Sequence, residues 1–174
     1  MPLTTRLIHF GSFLVTPQVF HLTALSYALV NLKPLLPGHV LVCPLRRVPR
    51  LSQLTPDEVS DLFLTVQRVS RMVERVFKAS ALNVAIQDGV DAGQSVAHVH
   101  CHVIPRNSGD LEHRGGSDMI YEMLDGEEGD VGGALRERRR GGFPKPDADG
   151  DRLPRGEEEM RVEAEWFARE MEVD

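Results

Sequence analysis

The sequence predicts an α+β protein in which one long helix and a C-terminal helix pack on an antiparallel sheet of about five strands. Two observations lead to this prediction. Short apolar runs separated by Pro and Gly turns fill much of residues 1–107, which is typical of antiparallel strands. Residues 56–78 instead repeat their apolar positions at helical spacing. The 174 residues are also enough for one domain with its own hydrophobic core.

The predicted strands lie in the first part of the chain and are bounded by turn residues. Lys33-Pro34 and Pro37-Gly38 each mark a turn, and Gly89 and Gly93 mark a tight loop before the last strand. We therefore predict strands over residues 20–32, 39–43, 82–87 and 98–106.

The long helix has a clear start signal. Thr55-Pro56-Asp57-Glu58 supplies an N-cap, a proline at the first helical position and a glutamate that closes a capping box. The apolar stripe that follows predicts one amphipathic helix over residues 56–78, with its Met and Phe residues in the core. A short helix is expected around residues 119–124 and a terminal helix over residues 157–171. The stripe of the terminal helix consists of Met160, Ala164, Phe167 and Met171.

Composition divides the chain into three segments. Residues 1–124 form the expected domain, whereas residues 125–156 are rich in Gly, Asp, Glu, Arg and Pro and have few apolar anchors. Such a composition predicts a flexible charged insert. Residues 157–174 then form a helix that we expect to pack on the domain. The run Arg136-Glu-Arg-Arg-Arg is most simply a solvated surface, and the alternatives are a cover for the active site or a partner-binding segment.

Charge and cysteine content limit the classes of partner. The formal net charge is −6, with +4 on residues 1–107 and −10 on residues 108–174. A mildly positive first part suits an anionic small-molecule substrate, and the acidic remainder argues against nucleic acid. Without an apolar run of about 18 residues, we expect no membrane span. Cys43 and Cys101 predict buried thiols in a reducing compartment, so we expect the cytoplasm, with the nucleus as a second location.

The run His98-Val-His-Cys-His-Val-Ile carries three histidines at alternate positions. Alternate residues of a β-strand point to the same face, so we predict three imidazoles on one face of a strand. From spacing alone, three explanations stay open. The histidines bind a metal ion such as zinc, act in catalysis, or are structural.

The residues before this run favour phosphate chemistry. Gly93-Gln94-Ser95-Val96 offers backbone N–H groups, an amide and a hydroxyl to a phosphate, although an ordinary turn has the same composition. A neutral imidazole can attack phosphorus and form a phosphoramidate that water then hydrolyses. Neighbouring histidines can orient the attacking ring and donate a proton to the leaving group.

These residues resemble the histidine triad superfamily, whose motif is His-φ-His-φ-His-φ-φ with φ an apolar residue. Further blocks resemble its fragile histidine triad branch in order and spacing. The blocks are Leu29–Leu45, Gln87–Gly89, Ala92–Val96 and Pro105-Arg106. The resemblance covers about residues 8–124 and again 157–171. It implies the fold of that superfamily, a homodimer, and hydrolysis of dinucleoside polyphosphates, above all of diadenosine triphosphate to AMP and ADP.

The resemblance also implies a role for each histidine. His100 is the expected nucleophile, which attacks the α-phosphate and becomes adenylylated. His98 is expected to position the site and His102 to contact the phosphates. Related nucleotidylyltransferases have Gln in place of His102, so this histidine favours water as the acceptor. His39 is expected to hydrogen-bond within the cluster and fix a tautomer, or else simply to begin a strand.

Four further residues are expected to surround the nucleotide. The resemblance implies that Asn31 binds ribose hydroxyls and that Gln87 contacts the region of the α-phosphate. It also implies that Phe10 and Leu41 line the base pocket, although apolar residues at such positions are by default core residues. A polar turn residue without a role is the alternative for Asn31, and a strand-end glutamine is the alternative for Gln87.

The phosphates and their counter-ion complete the expected site. Gln94 and Ser95, with the backbone of Gly93 and Val96, are expected to bind the scissile and leaving phosphates. We expect no tightly bound metal, and Mg²⁺ or Mn²⁺ to accompany the substrate. The resemblance also implies that Tyr121 matches a tyrosine that the family can phosphorylate.

Other functions stay open at this point. One is a nucleoside phosphoramidase or adenylylsulfatase on the same fold. Another is a nucleotide-binding signalling module that turns its ligand over slowly and whose bound form is the signal. A zinc hydrolase is the most distant alternative.

Overall fold

The computed structural model describes residues 4–125 and 155–173. Within these ranges, the chain forms seven strands and three α-helices. The strands are β1 (His9–Phe10), β2 (Phe13–Leu14), β3 (Val19–Leu22), β4 (Ser26–Val30), β5 (Val40–Pro44), β6 (Ala81–Ile86) and β7 (Cys101–Arg106). The helices are α1 (Pro56–Phe77), α2 (Met119–Asp125) and α3 (Glu157–Glu170).

Five strands form one antiparallel sheet in the order β3-β4-β5-β7-β6. This confirms the predicted α+β fold. The remaining strands, β1 and β2, form a separate hairpin that the sequence prediction missed. Gly11-Ser12 between them is a Gly-X pair of the kind that makes tight hairpin turns, and Gly11 has a φ of 58°.

Helix α1 begins as its sequence predicts. The Thr55 hydroxyl accepts the Glu58 N–H at 3.3 Å, and the Glu58 carboxylate accepts the Thr55 N–H at 2.8 Å. Leu62 and Met72 lie on the buried face of the helix. The expectation that its Phe residues lie in the core is wrong for Phe63, which is 44% exposed. Phe63 is about 100° around the helix from Leu62 and so falls outside the stripe that faces the sheet.

Helix α3 packs on the domain as predicted, against β3 and β4. The four residues of its expected stripe are all buried, and the Phe167 ring lies 5.3 Å from the ring of Phe20. Helix α2 confirms the expected short helix and buries Ile120, Met123 and Leu124 in a second small core. Residues 126–154 of the expected insert lie outside the described residues, so its flexibility stays a prediction.

Strand β7 begins at Cys101, three residues later than the sequence predicts. Cys101 pairs with Val42 of β5 and Ile86 of β6, so continuing the register would place Val99 opposite Pro44. Proline has no N–H to donate to a ladder. The Val99 N–H instead bonds the Val48 carbonyl at 2.8 Å. His98 and His100 therefore lie in the segment that leads into the strand.

Both cysteines are buried free thiols, as predicted. Burial raises the pKa of Cys101 to about 12, so its thiol stays protonated at neutral pH. Among the helices that the structure describes, none is both long enough and apolar enough to span a membrane.

Candidate active site

The triad histidines meet His39 beside strands β5 and β7. All four are at most 2% exposed. His102 lies within β7, where it pairs with Leu41 of β5. The ring centroids of His100 and His102 are 5.0 Å apart, and those of His39 and His102 are 5.2 Å apart. The structure thus brings the four predicted histidines into one buried cluster.

A backbone hydrogen bond orients His100. Its Nδ1–H donates to the carbonyl of His98 at 2.8 Å. A neutral imidazole carries one proton, so Nε2 of His100 holds a lone pair. An imidazole in this state is a nucleophile.

His98 is fully engaged by backbone groups on both ring nitrogens. Its Nδ1 accepts the Gly11 N–H at 3.1 Å, and its Nε2–H donates to the Pro44 carbonyl at 2.8 Å. Neither nitrogen is left to attack a substrate or to bind a metal. His98 therefore holds the segment in place, and its carbonyl orients His100.

A relay of two hydrogen bonds sets the tautomer of His102. The Leu35 N–H donates to His39 Nδ1 at 3.0 Å, so the proton of His39 lies on Nε2. His39 Nε2–H donates to His102 Nδ1 at 2.9 Å, which places the proton of His102 on Nε2. That buried Nε2–H has no partner among the described residues. A buried donor without a partner is costly, so a ligand acceptor would be favoured there.

Burial also keeps the triad uncharged. Desolvation lowers the pKa of His98 to about 4. It lowers the pKa of His100 and holds that of His102 well below its usual value, with added repulsion from the neighbouring histidines in the case of His102. All three rings are therefore neutral at pH 7, which leaves the lone pair of His100 available.

Phe10 and Leu41 belong to the main hydrophobic core and are at most 1% exposed. The Phe10 ring meets the His100 ring edge to face, at 5.1 Å and 83°. Phe10 thus packs against the His100 ring and restricts its movement. Its expected role in a base pocket, and that of Leu41, stay predictions.

Asn31 and Gln87 both carry amides that are largely buried. The Asn31 side-chain carbonyl accepts the Lys33 N–H at 3.0 Å, and its Nδ2 lies 3.4 Å from His39 Nε2. In the tautomer derived above, that contact joins two donors, so the Asn31 amide hydrogens stay free to bind an acceptor. Gln87 instead donates its amide to the Leu124 carbonyl at 3.1 Å, at the end of α2.

The expected phosphate loop runs directly into the triad. The Val96 carbonyl accepts the His98 N–H at 2.7 Å, and Gln94 donates its amide to the Pro49 carbonyl at 2.7 Å. Gly93 has a φ of 84°, and a Cβ there would lie 2.5 Å from the Gln87 amide nitrogen. The positive φ and this close approach favour glycine here. Ser95 makes an interaction of its own, and the roles of these residues towards phosphate stay predictions.

Sequence reasoning missed two residues that support the site. Gly11 holds His98 through its N–H, and the signal that could have found it is the Gly-Ser pair between Phe10 and Phe13. Arg155 contacts the carbonyl of Asn31 from the other end of the chain, and no sequence signal points to that contact. No group of three or more His, Cys, Asp or Glu side chains within residues 4–125 and 155–173 is arranged to hold a metal ion.

Comparison with known proteins agrees with this geometry. The family model of the HIT domain matches residues 15–109. A Schizosaccharomyces pombe protein named bis(5'-nucleosyl)-tetraphosphatase (asymmetrical) is 48% identical, over 96% of this chain and 98% of its own. An Arabidopsis thaliana protein named bifunctional bis(5'-adenosyl)-triphosphatase/adenylylsulfatase FHIT is also 48% identical, over 91% of this chain and 81% of its own.

Two solved structures extend the comparison to the fold. The C. elegans NitFhit protein superposes with a TM-score of 0.70 and 32% identity, over 96% of this chain and 31% of that longer chain. The Plasmodium falciparum diadenosine triphosphate hydrolase, solved with Cyclomarin A, superposes with a TM-score of 0.60 and 32% identity, over 78% of this chain and 88% of its own. With its sheet, its histidine cluster and these relatives in agreement, the chain belongs to the HIT domain family.

Proposed function

We propose that this protein hydrolyses dinucleoside polyphosphates and cleaves diadenosine triphosphate to AMP and ADP through a nucleotidyl-His100 intermediate. The observation that carries the proposal is the hydrogen bond from His100 Nδ1–H to the His98 carbonyl, because it leaves Nε2 as a nucleophile. The S. pombe and A. thaliana relatives, which share 48% identity with the chain, are named as hydrolases of the same class of substrate and so support the proposal.

The first chemical step forms the covalent intermediate. His100 Nε2 attacks the α-phosphorus, a P–N bond forms, and the bond from phosphorus to the bridging oxygen breaks. ADP leaves with that electron pair. The attacking ring becomes positively charged, and the His98 carbonyl that accepts Nδ1–H stabilises this charge. The Nε2–H of His102 is the donor that we assign to a phosphate oxygen.

Water completes the reaction in the second step. It attacks the same phosphorus, the P–N bond breaks, and the electron pair returns to His100 Nε2. AMP is released together with a proton. The net reaction consumes one water for each diadenosine triphosphate.

Two assignments concern how the substrate is held. We propose that Asn31 binds the ribose hydroxyls and that Mg²⁺ or Mn²⁺ accompanies the phosphates of the bound substrate.

We also propose a homodimer. It is supported by β6, which pairs only with β7 among the described strands, and by the exposed apolar side chains of Phe63, Leu64 and Val84. We propose the cytoplasm as the compartment, with the nucleus as a second location.

A direct assay tests the reaction and the nucleophile together. Wild type and His100→Asn are incubated with diadenosine triphosphate and Mg²⁺, and the products are separated by chromatography. We expect equimolar AMP and ADP from the wild type and none from His100→Asn, with substrate binding retained in that variant. His113→Asn, which changes an exposed histidine, is the control. Turnover by His100→Asn, or no product from the wild type, would contradict the proposal.

The covalent intermediate has its own signature. A brief reaction with substrate labelled in adenosine should leave label on the wild-type protein, and none on His100→Asn. The P–N bond should survive base and break in acid, as is general for phosphoramidates. Label that survives acid would indicate a different linkage.

A second candidate activity is adenylylsulfate hydrolysis, because the A. thaliana relative is named as an adenylylsulfatase as well. The same nucleophile would attack the same α-phosphorus, with sulfate as the leaving group. Comparing kcat/KM for adenylylsulfate, a nucleoside phosphoramidate, diadenosine triphosphate and diadenosine tetraphosphate ranks the candidates. A slow turnover with a long-lived complex would favour the signalling module instead.

A further inference from the structure

Arg155 joins the C-terminal segment to the backbone on which the active site is built. Its N–H donates to the Leu32 carbonyl at 3.0 Å. Its guanidinium donates to the Asn31 carbonyl from Nε at 3.1 Å and from a second nitrogen, Nη2. The two residues are 124 positions apart in the sequence.

The guanidinium is held on its other side by helix α3. Its Nη1 forms an ion pair with Glu163, and the side chains of Arg155 and Glu163 are only 11% and 19% exposed. Helix α3 is itself anchored by buried side chains, among them Ala164 next to Glu163 and Phe167 one turn later. A planar guanidinium bonded on both edges has little freedom to move, unlike an exposed ion pair.

The residue that Arg155 holds is the one that faces the histidine cluster. Asn31 follows the end of β4, is 1% exposed, and places its amide nitrogen 3.4 Å from His39 Nε2. Its side-chain carbonyl is taken up by the Lys33 N–H. Arg155 therefore fixes the main chain from which the free amide hydrogens of Asn31 project.

We propose that Arg155 is a positioning residue for nucleotide binding, which holds Asn31 in the orientation that binds the ribose of the nucleotide. Through the ion pair between Glu163 and Arg155, helix α3 thereby influences the affinity of the active site for the nucleotide. The inference rests on the ribose-binding role assigned to Asn31 under the proposed function.

Ligand affinity measured with and without ribose hydroxyls tests this role. AMP and its 2',3'-dideoxy analogue are titrated into wild type, Arg155→Met and Arg155→Lys by calorimetry. The loss of charged hydrogen bonds to one carbonyl should weaken AMP binding roughly 5- to 10-fold in Arg155→Met. Binding of the dideoxy analogue should change little. Arg155→Lys keeps the charge and one bond, so its affinity for AMP should lie in between.

Two further variants separate positioning from a general loss of structure. Arg161→Met removes an arginine of α3 whose hydrogen-bond partners among the described residues are Glu158 and Glu165, and it should leave both affinities unchanged. In Asn31→Ala, which weakens AMP binding by itself, adding Arg155→Met should cost no further affinity. Thermal melts of each variant show that the protein stays folded at the temperature of the titration.

The outcomes are distinguishable. Weaker AMP binding in Asn31→Ala but not in Arg155→Met would overturn the role of Arg155 alone. Equal losses for AMP and the dideoxy analogue would indicate a structural contact and overturn it as well. Unchanged AMP affinity in Asn31→Ala would overturn this inference together with the role of Asn31. Intact AMP binding without hydrolysis would contradict only the proposed function.

Discussion

His39 and His102 lie 63 residues apart in the sequence and share a 2.9 Å hydrogen bond between their rings. The Leu35 N–H bonds the other nitrogen of His39, so one backbone group decides which nitrogen of His102 carries the proton. Without this relay, His102 would be free to place its proton on Nδ1, and its Nε2 would present a lone pair where the proposed function needs a donor to a phosphate oxygen. The relay therefore places the single proton of neutral His102 on Nε2, where it is available as a hydrogen-bond donor.

Replacing His39 should remove that control. In His39→Leu, we expect kcat for diadenosine triphosphate to fall about 10-fold or more, because a buried hydrogen bond is lost and His102 can change tautomer. His39→Gln, whose amide can donate to His102 Nδ1, should recover part of the rate. NMR of ¹⁵N-labelled imidazoles reports the protonated nitrogen of His102 directly. An unchanged tautomer and rate in His39→Leu would show that the relay has no such role.

Stability should depend on pH through the buried histidines. His21 and the three triad histidines have pKa values lowered mainly by burial, to about 4 for His98. The unfolded chain then binds more protons than the folded protein below about pH 6.5. The stability that these histidines contribute is present above that pH and is lost as the pH falls towards 4. Each histidine lowers the free energy of unfolding by up to about 1.4 kcal/mol per pH unit over this range.

Urea unfolding between about pH 7.5 and pH 5 measures this dependence. The free energy of unfolding should fall as the pH decreases across that range. In His100→Asn the free energy of unfolding should fall less steeply with decreasing pH, because the lowered pKa of His100 no longer contributes. A flat profile would mean that the folded and unfolded states bind equal numbers of protons, which would contradict the lowered histidine pKa values.

Gly11→Ala should disturb both stability and catalysis. Gly11 has a φ of 58°, and a Cβ there would lie 2.7 Å from a methyl group of Val96. We expect a loss of about 1–2 kcal/mol in the free energy of unfolding. The N–H that bonds His98 would also shift, so kcat/KM should fall.

Gly116→Ala is the matched control for this variant. Gly116 also has a positive φ, of 117°, but a Cβ there would meet no atom within 4 Å. It should lose stability through backbone strain alone and keep its kcat/KM. Equal activity of the two variants would contradict a role for Gly11 in holding His98.

The capping box of α1 should matter for stability alone. Thr55→Ala removes the hydroxyl that accepts the Glu58 N–H, and we expect a loss of about 1 kcal/mol in the free energy of unfolding. Ser60→Ala on the exposed side of the same helix should not destabilise the protein. Both variants should hydrolyse diadenosine triphosphate at the wild-type rate. A loss of activity in Thr55→Ala would show that the start of α1 influences the site.

Local patterns determined much of the fold. The capping box at Thr55 and the stripe after it predicted α1 to within one residue of its end at Phe77. The apolar stripe of α3 likewise predicted that helix, because helical periodicity depends only on residues close together in the sequence. The alternation of histidines also predicted that the three rings lie together, and the resemblance added His39, which the structure places beside them.

Contacts between distant residues decided the rest. Strand β7 begins only at Cys101, because continuing its register with β5 would set Val99 opposite Pro44, and no pattern within residues 98–106 reveals that register. The two-residue strands of the β1–β2 hairpin are too short to show a period.

The chemical state of the site was set by backbone groups. The N–H groups of Gly11 and Leu35 and the carbonyls of Pro44 and His98 fix the protons of the histidines. Every residue except proline carries the same N–H and C=O, so the sequence does not indicate which backbone groups will bond the histidines. The sequence by itself determined which side chains are available for catalysis. Only the tertiary structure decided which nitrogen of each histidine carries a proton and which holds a lone pair, because that depends on which group lies within hydrogen-bonding distance.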